Sequence, residues 1–348
     1  MTTYYTLGLM SGTSLDGLDI AYIEFKYAYK QWHYSILHAE TILYTEEWKN
    51  ELRNAITLGK QELGNLDKKF SAFLAECTKY FIEKNEITSL NLISSHGHTI
   101  HHRPDLNYTY QIGNSPEFGN AFNIPVVCDF RVQDVELGGQ GAPLVPIGDR
   151  LLFSDYNYCL NLGGIANLST EYNNERIAYD ICASNIILNY YANKLGHAYD
   201  PGGIFAKYGE TNKRLLEELN SLDYYRKKLP KSLGREWIDD NIMPLLEKSQ
   251  LSIRDTLHTY CQHIAQQINN NIPLGSRVLI TGGGVYNTFL LQLLDTKIKW
   301  IIPEKKLIDY KEATIFALLG ILRLRNQPNC LKSYTGARED HCSGVLYH

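Results

Sequence analysis

Three glycine-rich runs and one aspartate are the residues of this chain whose types and spacing could do chemistry. The first run, Gly8 to Asp19 (GLMSGTSLDGLD), packs small and hydroxyl residues between two apolar stretches. Gly12, Thr13, Ser14, Leu15, Asp16, Gly17, Leu18 and Asp19 form its core. Backbone N–H groups of such a turn can approach phosphate oxygens, while Asp16 and Asp19 offer the hard oxygen donors that Mg²⁺ takes, directly or through water. A plain hairpin turn favours the same residue types. The second run, Asn161 to Asn167 (NLGGIAN), would let Gly163 and Gly164 close on the same phosphates from the other side. The third, Thr281 to Gly284 (TGGG), stands where a strand gives way to a helix. There Gly282, Gly283 and Gly284 would let backbone lie flat against an adenine or ribose, although glycine for conformation alone reads the same. Asp180 ends a strand beside Cys182, Ser184 and Asn185. A carboxylate so placed can take a proton from a hydroxyl or a water, or else cap the following helix.

Two further segments suit a polar substrate. Ser95 to Pro104 (SHGHTIHHRP) is dense in histidine, but Gly97 and Pro104 argue against a helix presenting His98 and His102 on one face. No cysteine or carboxylate stands in zinc-like register with them. The run is read as a polar turn in which His96 and His98 meet a hydroxylated substrate, with Arg103 available for a carboxylate, and Asn185, beside Asp180, is expected to contact the same substrate. Asp129 to Pro146 reads as a long glycine-rich connector, where Arg131 and Gln140 place anion and hydroxyl recognition at a hinge.

Positioning these groups requires a particular order of elements. Strands are expected at Tyr4 to Met10, Asp19 to Phe25 and Trp32 to Tyr44, helices at Glu46 to Ile56 and Leu66 to Ile82, and strands at Leu90 to Ser94 and up to Asp129. The order then restarts: Tyr158 to Leu162, Ile165 to Ser169 and Arg176 to Asp180 as strands, then a helix from Ser184 to Lys194. Helices near Asn212 to Leu222 and Arg254 to Asn271 follow. A strand at Arg277 to Ile280, a helix at Asn287 to Leu294, a strand at Trp300 to Ile302 and a helix at Lys311 to Arg325 complete the pattern. Strand, glycine turn, strand, strand and helix, once per half, is the arrangement of a duplicated α/β fold whose halves face each other across a cleft. The expected domains are 1–134 and 135–326, with an irregular tail, 327–348, packing back on the first.

Composition narrows the class. The chain has 348 residues, 34 Lys plus Arg against 38 Asp plus Glu, and a net charge of −4, which gives no electrostatic reason for nucleic acid or an anionic membrane as partner. Seven cysteines without a C-x-x-C pair suit a reducing compartment with free thiols, not a disulfide framework or a structural zinc site. No apolar run approaches a membrane span, and the first residues lack a secretory leader pattern, so a cytoplasmic protein with a small-molecule partner is expected.

Taken together the motifs resemble the anhydro-N-acetylmuramic acid kinases of the sugar kinase, Hsp70 and actin superfamily. The matching segments are Met10 to Gly17, Ser95 to Thr99, Asp129 to Arg131, Gly138 to Pro146, Asn161 to Leu168, Lys231 to Glu236, Gly282 to Asn287, Lys311 to Ala313 and Thr335 to Ala337, in the family's order. The resemblance implies a two-domain duplicated actin-like ATPase (ribonuclease H-like) fold that uses ATP and Mg²⁺. It also implies the opening of 1,6-anhydro-N-acetylmuramic acid by water with phosphorylation of its sixth-carbon oxygen, in peptidoglycan recycling, and a homodimer. Asp180 matches the family's catalytic aspartate. Where the family commonly has Asp-Thr-Gly-Pro-Gly-Asn, this chain has Asp180, Ile181, Cys182, Ala183, Ser184 and Asn185, and His98 stands where glutamine is common. An ordinary sugar kinase that opens no anhydro ring, or a nucleotide-binding regulatory protein without turnover, are the alternative readings of the altered segment.

Overall fold

The structure, a computed structural model, describes residues 1–12, 14–229 and 231–348. Thr13, assigned above to the phosphate hairpin, lies outside the described residues. The chain groups into two compact units, Met1–Leu152 with Tyr310–His348, and Phe153–Asp309. In chain order the strands are β1 (Thr2–Ser11), β2 (Gly17–Ala28), β3 (Gln31–Leu43), β4 (Leu92–Arg103), β5 (Tyr108–Ile112), β6 (Val126–Cys128), β7 (Tyr158–Leu162), β8 (Ile165–Tyr172), β9 (Glu175–Ala183), β10 (Arg277–Thr281), β11 (Lys299–Ile301) and β12 (Val345–Tyr347).

In the first unit β1, β2 and β3 form an antiparallel meander. β1 pairs in parallel with β4, β4 in parallel with β6, and β12 adds an antiparallel edge, giving the order β12-β6-β4-β1-β2-β3 with β5 branching from β4. β1 is a central strand covered on both faces. Leu7 and Leu9 pack into the core formed with Phe70, Leu74 and Phe81, which recur at helical spacing along the helix Lys60–Lys84. On the other face Gly8 lies so close to the helix Lys305–Leu324 that a Cβ would come within 1.9 Å of the Ala313 carbonyl oxygen, and Gly320 meets Ser94 of β4 in the same way at 2.6 Å. Two glycines, one on the strand and one on the helix, thus let helix and sheet approach backbone to backbone.

The second unit repeats the plan. β7, β8 and β9 are an antiparallel meander, β7 pairs in parallel with β10, and β10 in parallel with β11, so the order is β11-β10-β7-β8-β9. Numbered within each unit, and with β5 and β12 set aside as additions, both sheets run 3-2-1-4-5. This is the duplicated ribonuclease H-like fold of the actin-like ATPases. The core of this unit packs Leu160, Leu162 and Ile280 of the sheet against Tyr260, Ile264 and Ile268 of the helix Ile253–Asn271.

Several elements differ from expectation. Ser95 to Pro104, read as a polar turn, is mostly strand: β4 runs from Leu92 to Arg103, returning through β5. Gly97 takes φ +71°, and the pairing with β1 slips between Leu9 and Ser11, which marks a bulge. The bulge breaks the two-residue alternation on which a strand reading depends. β9 likewise continues past Asp180 to Ala183, with a register slip opposite Ala166 and Asn167. The last segment, read as irregular, contains a helical turn at Lys332–Thr335, a bridge pairing Cys330 with His341, and β12 on the edge of the sheet. All seven cysteines are free thiols, and no helix among the described residues is long and apolar enough to cross a membrane.

Candidate active site

In the first unit the chain leaves the sheet at Ser11 and enters β2 at Gly17. The turn between them puts Gly12 and Ser14 on a concavity of about 340 Å³, whose wall also takes Met10, Ser11, His96, Thr99, Arg131 and Glu312. The Leu15 N–H donates to the Gly12 carbonyl at 3.3 Å, with Leu15 at φ +59°. Asp16 is exposed, and its carbonyl accepts the Tyr44 N–H. Gly17 lies against β3, where a Cβ would fall 2.5 Å from the Ile42 carbonyl oxygen. Leu18 buries its side chain in the core, so it can meet a ligand only through its backbone. Asp19 stands opposite Met10 in the ladder and accepts the Thr41 hydroxyl at 2.5 Å.

Arg131 and His96 are locked together. Arg131 Nε donates to His96 Nε2 at 2.9 Å, and Arg131 Nη1 donates to the Gly141 carbonyl at 2.5 Å. Because Nε2 accepts, the ring hydrogen is on Nδ1, which faces the Gly97 carbonyl at 3.0 Å. Burial and the adjacent guanidinium hold His96 well below the ordinary histidine range, so it stays neutral. Burial lowers Arg131 to about 10, which leaves it charged at neutral pH. With two of its nitrogens committed to protein, the guanidinium has a fixed orientation and Nη2 remains for an anion. Glu312 opens onto the same concavity. The chain packed around it raises its pKa, opposed by Arg131 and Lys311.

Of the substrate residues expected in the first unit, His98 and Gln140 do not line this concavity. His98 is buried behind the hairpin, its Nδ1 2.8 Å from Ser11 Oγ, which in turn lies 2.6 Å from the Tyr44 hydroxyl. Burial pushes His98 down to about 4, so this network is neutral and braces the end of β1. Gln140 is exposed and bonds through its backbone N–H to the Thr335 carbonyl at 2.8 Å.

The second unit gathers the other predicted residues. The carbonyls of Gly163 and Gly164 accept three N–H groups at the start of the helix Asn185–Asn193: Ser184 to Gly164 at 2.8 Å, Asn185 to Gly163 at 3.2 Å and Ile186 to Gly164 at 3.1 Å. Asn185 Nδ2 donates to the Leu162 carbonyl at 3.0 Å. Gly282 and Gly284 pack on the same hairpin: added Cβ atoms would come within 2.5 Å of Asn161 Oδ1 and 2.7 Å of Leu162 Cβ, while Gly283 is exposed with open space beside it. Gly163, Gly164, Asn185 and the triple glycine therefore form one polar corner at the carboxyl ends of β7 and β10.

Asp180 is on β9, held by a clasp that sequence reasoning did not assign. Its N–H donates to the Lys231 carbonyl at 3.2 Å, and its Oδ2 accepts the Leu233 N–H at 2.8 Å. Its carbonyl accepts the Tyr224 hydroxyl at 2.8 Å. It does not cap the helix that follows. Burial raises the Asp180 pKa, and the Leu233 N–H offsets part of this. A half-buried carboxylate with one oxygen fixed by backbone and the other without a partner among the described residues is suited to take a proton.

The profile of the family described as anhydro-N-acetylmuramic acid kinase matches residues 4–348. The anhydro-N-acetylmuramic acid kinase of Haemophilus influenzae is 32% identical over 383 aligned positions, covering 100% of this chain and 98% of that protein. That of Pasteurella multocida is 33% identical, covering 99% and 97%, and that of Sulfurimonas denitrificans 32%, covering both in full. The chain belongs to the anhydro-N-acetylmuramic acid kinase family.

The segment in which this chain departs from the family's usual Asp-Thr-Gly-Pro-Gly-Asn is the end of β9 and the entry to the helix Asn185–Asn193. Ile181, Cys182, Ala183 and Ser184 are all buried and none of them takes a positive φ, but Ser184, at one of the family's glycine positions, has φ −128° and ψ −105° and a buried Oγ with no hydrogen-bond partner among the described residues. Of the residues that line the concavity, Met10, Ser11, Thr99 and Glu312 are not among the expected site residues. Glu312 lies inside the family match Lys311 to Ala313, and the concavity brings it to the same wall as Arg131, 181 positions earlier in the chain.

Proposed function

We infer that this chain is an ATP-dependent anhydro-N-acetylmuramic acid kinase. It adds water across the 1,6-anhydro bond of the sugar and transfers the γ-phosphoryl group of ATP to the released oxygen, giving N-acetylmuramic acid 6-phosphate and ADP. What supports the reading, beyond membership of the family, is the state of Asp180. One oxygen is fixed by the Leu233 N–H, and burial makes the carboxylate more basic than usual.

In the mechanism Asp180 Oδ1 takes the proton of a water as that water bonds to the anomeric carbon. The bond from that carbon to the sixth-carbon oxygen breaks and leaves its electron pair on that oxygen, which attacks the γ-phosphorus as ADP departs. The Leu233 N–H holds the carboxylate, and the Tyr224 hydroxyl holds the backbone carbonyl of the same residue, through the transfer. In the first unit the hairpin from Gly12 to Asp19 offers backbone N–H groups to phosphate, and in the second the corner of Gly163, Gly164 and Gly282 to Gly284 offers close backbone approach to a nucleotide. Arg131, fixed by His96 and Gly141, takes an anionic group. Asp16 and Asp19 are oxygen donors of the kind Mg²⁺ prefers and would hold it directly or through water; the ion would neutralise phosphate charge. Free thiols and ATP consumption fit the cytoplasm.

The test is incubation with ATP, Mg²⁺ and 1,6-anhydro-N-acetylmuramic acid in water enriched in ¹⁸O, followed by mass analysis. The expected product has gained one phosphoryl group and one molecule of water, with the heavy oxygen on the anomeric carbon. A phosphorylated sugar that keeps its anhydro bridge would refute ring opening.

A further inference from the structure

Asp134, Cys330 and His341 form a cluster in the first unit that none of this chemistry uses. Asp134 and Cys330 have no exposed surface, His341 is 6% exposed, and their ligand atoms all lie within 4.8 Å of one another. Cys330 Sγ is 3.2 Å and His341 Nε2 3.5 Å from Asp134 Oδ1. Donors on a tetrahedral zinc, at bond lengths of about 2.0–2.3 Å, stand roughly 3.3–3.8 Å apart.

The orientation of His341 points to a ligand. Its Nδ1 lies 3.2 Å from the Glu339 carbonyl, an acceptor, so the ring hydrogen is on that side. In the neutral ring Nε2 is then a lone pair, and it is buried with no hydrogen-bond partner, aimed at a carboxylate oxygen. Asp134 Oδ1 accepts the Cys330 thiol at 3.2 Å, and a cation taking the place of that thiol hydrogen would be shared by the sulfur, this oxygen and the Nε2 lone pair. A ring nitrogen donating to a backbone carbonyl while the other faces a metal is the usual arrangement of a ligating histidine. Asp134 is similarly oriented, its Oδ2 accepting the Gly141 N–H at 2.6 Å.

The backbone holds the other ligands in place. Cys330 and His341 are directly opposite in an antiparallel bridge, exchanging N–H···O bonds of 3.1 and 3.0 Å. Opposed residues in such a bridge project to the same side, so thiol and imidazole emerge together toward the helix Val132–Glu136 that carries Asp134. Gly139 makes room: a Cβ there would fall 2.2 Å from Asp134 Oδ2.

We propose that Asp134, Cys330 and His341 bind one zinc-class divalent cation, which ties the C-terminal segment to the loop that orients Arg131. Thiolate, imidazole and carboxylate together select zinc over magnesium or calcium, and three protein donors leave a fourth position for a small ligand such as water. Binding forms the sulfur–metal bond as the Cys330 thiol proton leaves to solvent. His341 contributes its Nε2 lone pair, and no atom changes oxidation state. The link to Arg131 is short, because Gly141 donates to Asp134 through its N–H and accepts from Arg131 through its carbonyl.

The test uses the full chain, stripped with a strong chelator, then given equimolar Zn²⁺ or Co²⁺ and dialysed against a weak chelator. Wild type and Cys342→Ser are expected to retain about one metal per chain, and the Co²⁺ forms to show thiolate-to-metal charge-transfer absorption. Cys330→Ser and His341→Ala are expected to retain less than about a tenth of that and to lose the absorption. No retained metal in wild type, or retention by those variants equal to wild type, overturns the proposal. Where a variant fails to fold, the Co²⁺ spectra of wild type and Cys342→Ser decide: a thiolate band at one equivalent supports the site, and its absence overturns it.

Discussion

Asp180 sits in surroundings that favour its protonated form, and that has consequences for both rate and stability. Its folded-state pKa is raised above that of the unfolded chain. The native state therefore carries a penalty at neutral pH, complete above the folded pKa and gone once pH falls below the ordinary carboxylate range, where both states are protonated. Asp180→Asn is expected to lower kcat by roughly 10²–10⁴-fold, the usual contribution of a positioned base. The same variant should melt higher than the parent at neutral pH, with the difference closing by about pH 3. Wild-type kcat/KM should fall on the acid side at a pH above the usual aspartate range. Turnover of the Asn variant near the parental rate would remove the base assignment, whatever its melting curve. That Asp180 could serve as a base was legible from its place near the end of an apolar strand beside polar residues. The clasp of Lys231 and Leu233 was not, because it joins positions more than fifty residues apart through backbone atoms that carry no residue-type signal.

At the scale of elements, the helix Lys305–Leu324 and β1 meet through glycine. A methyl group on Gly8 would collide with the Ala313 carbonyl, which is backbone and cannot rotate away. Gly8→Ala is therefore expected to cost about 1–3 kcal/mol in urea unfolding. Gly64, inside the helix Lys60–Lys84, has open space where a Cβ would stand. Gly64→Ala should stabilise the protein by about 0.4–1 kcal/mol. Equal effects of the two substitutions would mean that the helix can shift on the sheet to make room. The helix periodicity of residues 60–84 and the strand pattern of β1 to β3 and β7 to β9 were readable because one covered face repeats at a fixed interval. β4 was cut short in the reading by its bulge at Gly97, since a single added residue exchanges the faces and erases the alternation.

For the molecule as a whole, the C-terminal segment closes the first unit's sheet. β12 pairs with β6, and the Tyr347 ring lies where a Cβ on Gly119 would stand, 2.3 Å from the nearest ring atom. Removing residues 345–348 uncovers the edge of β6, Val126–Cys128, whose side chains are buried in the intact chain. The truncated protein is expected to melt lower and to self-associate in size-exclusion chromatography, as exposed strand edges do. A monodisperse truncation with an unchanged melting point would show that the edge needs no cover. Asp149 and Lys311 make a buried ion pair at 2.8 Å next to Tyr310, whose φ of −117° interrupts the long helix where the chain re-enters this unit.

The sequence alone determined the duplicated order of elements, the glycine hairpins, the aspartate and the family, because each is written in contiguous residues whose types follow from local geometry. Only the tertiary structure decided that His98 braces the hairpin, that Glu312 shares a concavity with Arg131, and that Asp134 meets Cys330 and His341. Those groups are assembled from distant positions by sheet order and helix packing. Their chemistry comes from burial and mutual distance, which no single stretch of chain encodes.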